Sequence, residues 1–153
     1  MFVTRNQIMN ALKSLLETKN QRQKLIGGFS RRFVTPDKLS GSASMPFICI
    51  CKPKEVYPPR PINSLPAKRT FMVELIVWIS VGQNQAEIPD EKVCDIMDFL
   101  DEALQPDKTT SAGKAQSLGG LVESCNIEGD VPLVPGDVDG NGMMLIPLII
   151  VVP

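Results

Sequence analysis

Arg69-Thr70-Phe71-Met72-Val73-Glu74-Leu75-Ile76-Val77-Trp78-Ile79-Ser80-Val81 is the stretch that decides the fold. Successive side chains of an extended chain point to opposite faces, so Phe71, Val73, Leu75, Val77, Ile79 and Val81 share one face. Thr70, Met72, Glu74, Ile76, Trp78 and Ser80 share the other. The first face is apolar at every position, which predicts a long strand turned toward a core.

On the amino-terminal side, Met45 to Cys51 is a compact apolar run between Pro46 and Pro53, short enough to be a buried strand. Lys52 to Lys68 holds Pro53, Pro58, Pro59, Pro61 and Pro66, which excludes helix and predicts an extended arm or a long hairpin loop. Further back, Thr4-Arg5-Asn6-Gln7 fits a capping box. Ile8, Ala11, Leu12, Leu15 and Leu16 follow at amphipathic spacing, so a helix is predicted to end near Lys19 or Asn20. A basic stretch then leads to Gly27-Gly28, a short strand is predicted over Phe29 to Val34, and Thr35 to Ser44 reads as a loop.

On the carboxyl side, Gly82 to Glu87 turns the chain and Pro89-Asp90-Glu91 opens a second helix with the stripe Val93, Ile96, Met97, Leu100 and Leu104. Its other side carries Glu91, Asp95, Asp98 and Glu102, with Asp90 and Asp101 adding to the field. Acids near a helix carboxyl end oppose the macrodipole, so they are not there for helix stability. Pro106 ends this helix, and the polar segment Gln105 to Gly120 is predicted as a mobile tip. Two strands remain, Leu121 to Glu128 and Met143 to Val152. Pro147 assigns the last of them to an edge or a bulge. The fold class is therefore α/β of the α+β kind, a mixed sheet with an amino-terminal helix, a second acidic helix and long loops, in one domain over 1–153.

A chain of 153 residues, 43% hydrophobic and 22% charged, suits one globular domain with one core. No stretch approaches the roughly 20 apolar residues of a membrane helix. Arg5 and Asn6 interrupt any signal-peptide core, so a soluble protein of the cytoplasm is expected. Cys49, Cys51, Cys94 and Cys125 form no CxxC, and Cys49 and Cys51 share one strand face; all four read as small buried free thiols. Net charge is −1, yet residues 1–69 carry 13 basic and 3 acidic side chains while residues 70–153 carry 3 basic and 14 acidic. If the halves map to different surfaces, that bipolar pattern suits head-to-tail contacts between copies; if they interleave in one sheet, the charges pair internally.

The chain has no histidine, which removes Ser-His-Asp and Cys-His catalysis and the usual zinc sets. No phosphate loop, dinucleotide turn or nucleophile elbow is present, so neither an enzyme nor a cofactor is expected. Asp137-Val138-Asp139-Gly140-Asn141-Gly142 matches the first half of a calcium loop. Leu148 stands at the twelfth position where a bidentate Glu belongs, and Gly140-Asn141-Gly142 is what a tight hairpin turn needs. Arg5, Lys19, Arg22, Lys24, Arg31 and Arg32 suggest a nucleic-acid face, but one Trp, one Tyr and six Phe offer few stacking platforms.

The order of these elements resembles the tail-terminator (minor tail protein U-like) family of long-tailed bacteriophages. The likeness rests on the amino-terminal helix, the Pro-Phe-led strand Met45 to Cys51, the long strand Arg69 to Val81, the acidic helix after Pro89-Asp90-Glu91, and the final apolar strand. The Pro-rich insertion at Lys52 to Lys68 and the long Gln105 to Gly120 loop depart from the family's shorter members. The resemblance implies a structural virion protein of the tail and neck, assembled in the host cytoplasm, that forms a hexameric ring on the tail tube and ends tube polymerisation. Its implied partners are other copies of itself, the tail tube protein, neck or connector proteins and, in a contractile tail, a sheath protein. Genomic DNA would pass the lumen without specific binding, and no membrane is involved. The acidic face (Glu91, Asp95, Asp98, Glu102) would meet a neighbour's basic segment (Lys52, Lys54, Arg60, Lys68, Arg69) or line that lumen. Another neck or head-tail connector protein, or a small nucleic-acid-binding module, are the alternatives.

Because Leu148 replaces the twelfth ligand, the Asp137 to Gly142 turn is expected not to bind calcium. Calorimetric titration showing micromolar affinity would contradict this.

Overall fold

The computed structural model describes residues 2–38, 45–55, 69–80, 89–110, 113–134 and 141–152. Helix α1 spans Arg5–Gln23 and α2 spans Pro89–Ala103. The strands are β1 Gly28–Ser30, β2 Phe47–Glu55, β3 Arg69–Ser80, β4 Lys108–Thr110, β5 Gly113–Ala115, β6 Ser124–Ile127, β7 Leu133–Val134 and β8 Asn141–Val152. The main sheet runs β1-β2-β3-β8-β6, with β7 also paired to β8, while β4 and β5 form a separate hairpin. Only β1 and β2 are parallel among these pairs, so the sheet is mixed and the fold is α+β.

The long strand behaves as its alternation requires. Phe71, Val73, Leu75, Val77 and Ile79 are buried in one core with Ile8, Met9, Leu12 and Leu16 of α1 and Ile96, Phe99 and Leu100 of α2. Both helices therefore cover the same sheet face. Val81 lies outside the described residues. On the opposite face, Cys49, Cys51 and Ile76 are also buried, with Val34, Phe47, Trp78, Met143 and Leu145 packed around them. The 30–38 segment folds over that second face. The Trp78 indole Nε1 donates to the Val34 carbonyl at 2.7 Å, and the Cys49 thiol approaches the same oxygen at 3.8 Å.

Several boundaries differ from the sequence reading. Thr4 caps α1 in the expected capping box, but the helix continues to Gln23 and ends at Lys24, whose N–H still bonds the Asn20 carbonyl and whose left-handed φ of 52° turns the following chain out of the helix. Asn20 then ties the turn by pairing with both the N–H and the carbonyl of Ile26, each at 2.8 Å. The strand expected over Phe29 to Val34 is confined to Gly28–Ser30. Gly28 is required there, because a Cβ would lie 2.6 Å from the Phe47 ring. β2 does not stop before Pro53 but runs to Glu55. A bulge between Cys51 and Lys54, with Lys52 at φ 54°, carries the proline through the ladder. The arm expected over Lys52 to Lys68 thus begins as strand, and residues 56–68 lie outside the described residues.

Pro147 is neither at an edge nor at a bulge of the β3–β8 ladder. It sits in central β8 opposite Glu74, with β3 on one side and β6 and β7 on the other. Its carbonyl accepts from Glu128 N–H at 3.2 Å, just past the end of β6. In an antiparallel strand the N–H and carbonyl of one residue point the same way, so the missing donor faces the break between β6 and β7 and no β3 bond is lost. The described residues of the Gln105 to Gly120 segment, 105–110 and 113–120, are likewise tied to the body of the protein and not a free tip. Asp107 accepts from Ser117 Oγ (2.8 Å), Ser117 N–H (2.7 Å) and Gly119 N–H (3.2 Å), and Gln116, Ser117 and Leu118 are buried. Burial would raise the Asp107 pKa, but these three donors outweigh it and hold the carboxyl below its usual value. The strand expected over Leu121 to Glu128 is shortened to Ser124–Ile127. Asp137 to Gly140 of the presumed turn, and Gly82 to Glu87, fall outside the described residues.

Strand order also decides how the two charge halves are arranged. The strands of the basic half, β1 and β2, occupy one side of β3, and those of the acidic half, β8, β6 and β7, occupy the other. The strands themselves carry little of that charge, since β6, β7 and β8 hold no acidic or basic side chain, and α1 of the basic half and α2 of the acidic half lie on the same sheet face. Lys52 and Glu74 pair across the β2–β3 seam at 3.4 Å, whereas Arg5–Glu55 and Lys13–Glu17 pair within the basic half.

Leu12 and Val77 have no exposed surface, so Leu12→Asp or Val77→Asp places an unpaired carboxylate in the core. The cost of several kcal/mol is a large part of a typical ~5–15 kcal/mol stability. Both variants are expected to be insoluble or to lack a cooperative melt; a native-like melt by circular dichroism would show the facing to be wrong.

Candidate assembly surfaces

Helix α2 is amphipathic because its apolar residues recur at helical spacing. Ile96, Phe99, Leu100 and Ala103 are buried, with Val93, Met97 and Leu104 packed beside them. Phe99 and Ala103 belong to this stripe in addition to the five residues expected from the sequence. The remaining face is exposed and carries Glu91, Asp95, Asp98, Asp101 and Glu102. The last turn holds no basic residue. Among the described residues, Glu102 accepts from Gln23 Nε2 at 2.5 Å, and Glu91, Asp95, Asp98 and Asp101 make no ion pair. The acidic face is therefore a solvated field, with its carboxyl-terminal members set against the helix dipole at roughly 0.3–1 kcal/mol each.

The basic residues proposed as its counterpart are less uniform. Lys54 is exposed on β2, but Lys52 is paired with Glu74. Arg69 donates to the Val3 carbonyl at 2.6 Å, and its guanidinium lies 4.7 Å from the Phe2 ring centroid, so it closes the amino-terminal segment onto β3. Arg60 and Lys68 lie outside the described residues. Among the described residues, Lys52, Lys54 and Arg69 form no continuous basic strip.

A different basic surface emerges from the 30–38 segment. Arg32, Phe33, Val34, Thr35 and Lys38 line a cavity of about 430 Å³. Phe33 is 47% exposed while its ring contacts Trp78 at 6.2 Å between centroids, tilted by 50°. Arg32 and Lys38 are exposed, and neither side chain makes an ion pair among the described residues. Arg31 differs, since its guanidinium is held by Asn10 and Asn6 of α1 at 2.9 Å each. Reading Phe29 to Val34 as a strand hid this corner. The usable signal was Arg31-Arg32-Phe33, two cations beside an aromatic, directly before a Pro-containing turn at Pro36–Lys38.

The described residues contain no group of three or more His, Cys, Asp or Glu placed to hold a metal ion. Three thiols are buried, and burial raises their pKa, that of Cys125 to about 12. Cys94 is the exception to the expectation of four buried thiols. It is exposed on α2, on the acidic face with Glu91 and Asp98. A thiol-reactive dye is therefore expected to label one cysteine rapidly in the native subunit and the other three only on unfolding. Rapid labelling of two or more would refute the assigned packing of β2 or β6.

No protein-family model matches the chain, and no curated protein matches it. A solved structure whose name gives no function is similar over 99% of this chain and 97% of its own, with a TM-score of 0.56 and 14% identity. Likeness at that identity shows the fold alone, a single α+β arrangement of two helices on a mixed sheet.

Proposed function

We propose that this protein is a structural ring subunit that caps the tail tube of a long-tailed bacteriophage, ending tube polymerisation and offering a surface to neck proteins. The observation that carries the reading is the segregation of charge. A small α+β subunit with an exposed acidic helix packed on one face of its sheet, and exposed Arg32 and Lys38 in the segment that covers the other face, is suited to repeat head to tail, and closed head-to-tail repetition is a ring. The order of elements that resembles tail terminators is retained in the structure, from the capped first helix to the long apolar final strand. In this reading the protein has no catalytic role and binds no cofactor. Its partners are other copies of itself, the tail tube protein and neck or connector proteins, with genomic DNA passing through the ring and no membrane contact.

Light scattering across a concentration series, with negative-stain microscopy of the same sample, tests the reading. The expected result is a discrete multimer, six subunits by the family likeness, seen as annular particles. A monomer at every concentration, or a multimer without a central opening, would overturn it.

A further inference from the structure

We propose that the corner built by Arg32, Phe33, Val34 and Lys38 is a socket for the acidic face of α2 from a second copy of this chain. The inference rests on the ring reading and names the contact that would build the ring. The socket has the chemistry of a receptor for an acidic helix: an apolar wall of Phe33 and Val34, with Arg32 and Lys38 as cations at its margin. It is held in place before any partner arrives, because the Val34 carbonyl is fixed by Trp78 and the Phe33 ring rests on the same indole. The occupant matches it in sign. Glu91, Asp95 and Asp98 recur every three or four residues on the exposed side of a 15-residue helix, so they present one row of carboxylates.

Geometry then forbids a chain from filling its own socket. α2 packs on the sheet face lined by Val77 and Ile79, whereas Phe33 and Val34 lie on the face of Trp78 and Ile76. Complementary surfaces on opposite faces of one sheet can meet only between copies, and the contact they make is heterologous, the kind that closes into a ring or runs on as a filament. A nucleic acid is the competing occupant of a basic corner. The phosphates of a duplex would leave the Phe33 and Val34 wall unused, and a single strand would find only one exposed ring there on which to stack.

Two charge-reversed chains test the assignment, one carrying Asp95→Lys and Asp98→Lys, the other Arg32→Glu and Lys38→Glu. All four positions are exposed, so folding should be unaffected; Asp95→Asn with Asp98→Asn, and Arg32→Gln with Lys38→Gln, serve as milder versions if a reversed chain melts early. Each reversed chain alone is expected to associate on the order of 100-fold more weakly than the native chain. An equimolar mixture should recover the native mass, since every socket then meets a helix of opposite sign. Oxidation of Lys38→Cys should also join copies through the native Cys94 on the acidic face. Reversed chains that keep the native mass, or a mixture that stays dissociated, would overturn the socket while leaving the ring reading intact. A native monomer would overturn both. Loss of DNA retention on reversing Arg32 and Lys38, with no change in mass, would assign the corner to nucleic acid and overturn the socket.

Discussion

Everything in this molecule hangs on the pairing of β3 with β8. The two strands are matched residue for residue from Arg69 opposite Val152 to Ser80 opposite Asn141, an uninterrupted antiparallel ladder at the centre of the sheet. Because side chains alternate in both strands, this register decides which residues meet the helices. Phe71, Val73, Leu75, Val77 and Ile79 face the same side as Met144, Ile146, Leu148 and Ile150, and all are buried. A slip of one residue would turn that set outward and leave α1 and α2 without a partner surface. The remaining strands are placed by this pair: β2 extends it on one side, β6 and β7 on the other, and the helices close over its apolar face.

The same pair explains what was legible in the sequence and what was not. The alternation of residues 69–81, the capping box at Thr4 and the stripe of α2 are local patterns, and local patterns specify the core face of each element. Element ends were less legible because they depend on distant partners. α1 runs past Asn20 because that side chain is engaged by Ile26, and β2 runs past Pro53 because a bulge lets the strand continue. The expectation of an edge or a bulge at Pro147 fails for a related reason. A proline lacks only one donor, and here that donor would face the interval between two short strands; nothing in the residues around Pro147 announces such an interval.

The candidate site was legible in part. The acids of α2 sit on the exposed face that their spacing demands. Of the basic counterparts expected at Lys52, Lys54, Arg60, Lys68 and Arg69, the fold has other uses for two: Lys52 pairs with Glu74 at the β2–β3 seam and Arg69 holds the amino-terminal segment. The corner at Arg32 and Lys38 could not be read in advance, since it exists only because the segment after β1 crosses to the Trp78 face of the sheet. A tertiary hydrogen bond from Trp78 to Val34, separated by 44 residues in sequence, fixes that crossing.

The edges of the sheet bear on how copies can meet. Among the described residues β1 offers three residues, β7 two and β6 four, and the stretch of β2 that β1 leaves uncovered is broken by the bulge at Lys52 and by Pro53, so no edge offers a long regular ladder. β1 runs directly into Arg31 and Arg32, and β6 is bracketed by Glu123 and Glu128. Short edges flanked by charge discourage edge-to-edge pairing, a general defence of β proteins against aggregation. With backbone pairing so limited, association falls to side-chain surfaces, where exposed ion pairs alone contribute only ~0–1 kcal/mol each. A stable contact therefore needs apolar area beside its charges. The acidic face of α2 lacks that area, and the exposed ring of Phe33 supplies it on the opposite face of the sheet, so charge sets the register of the contact while the aromatic wall supplies much of its strength.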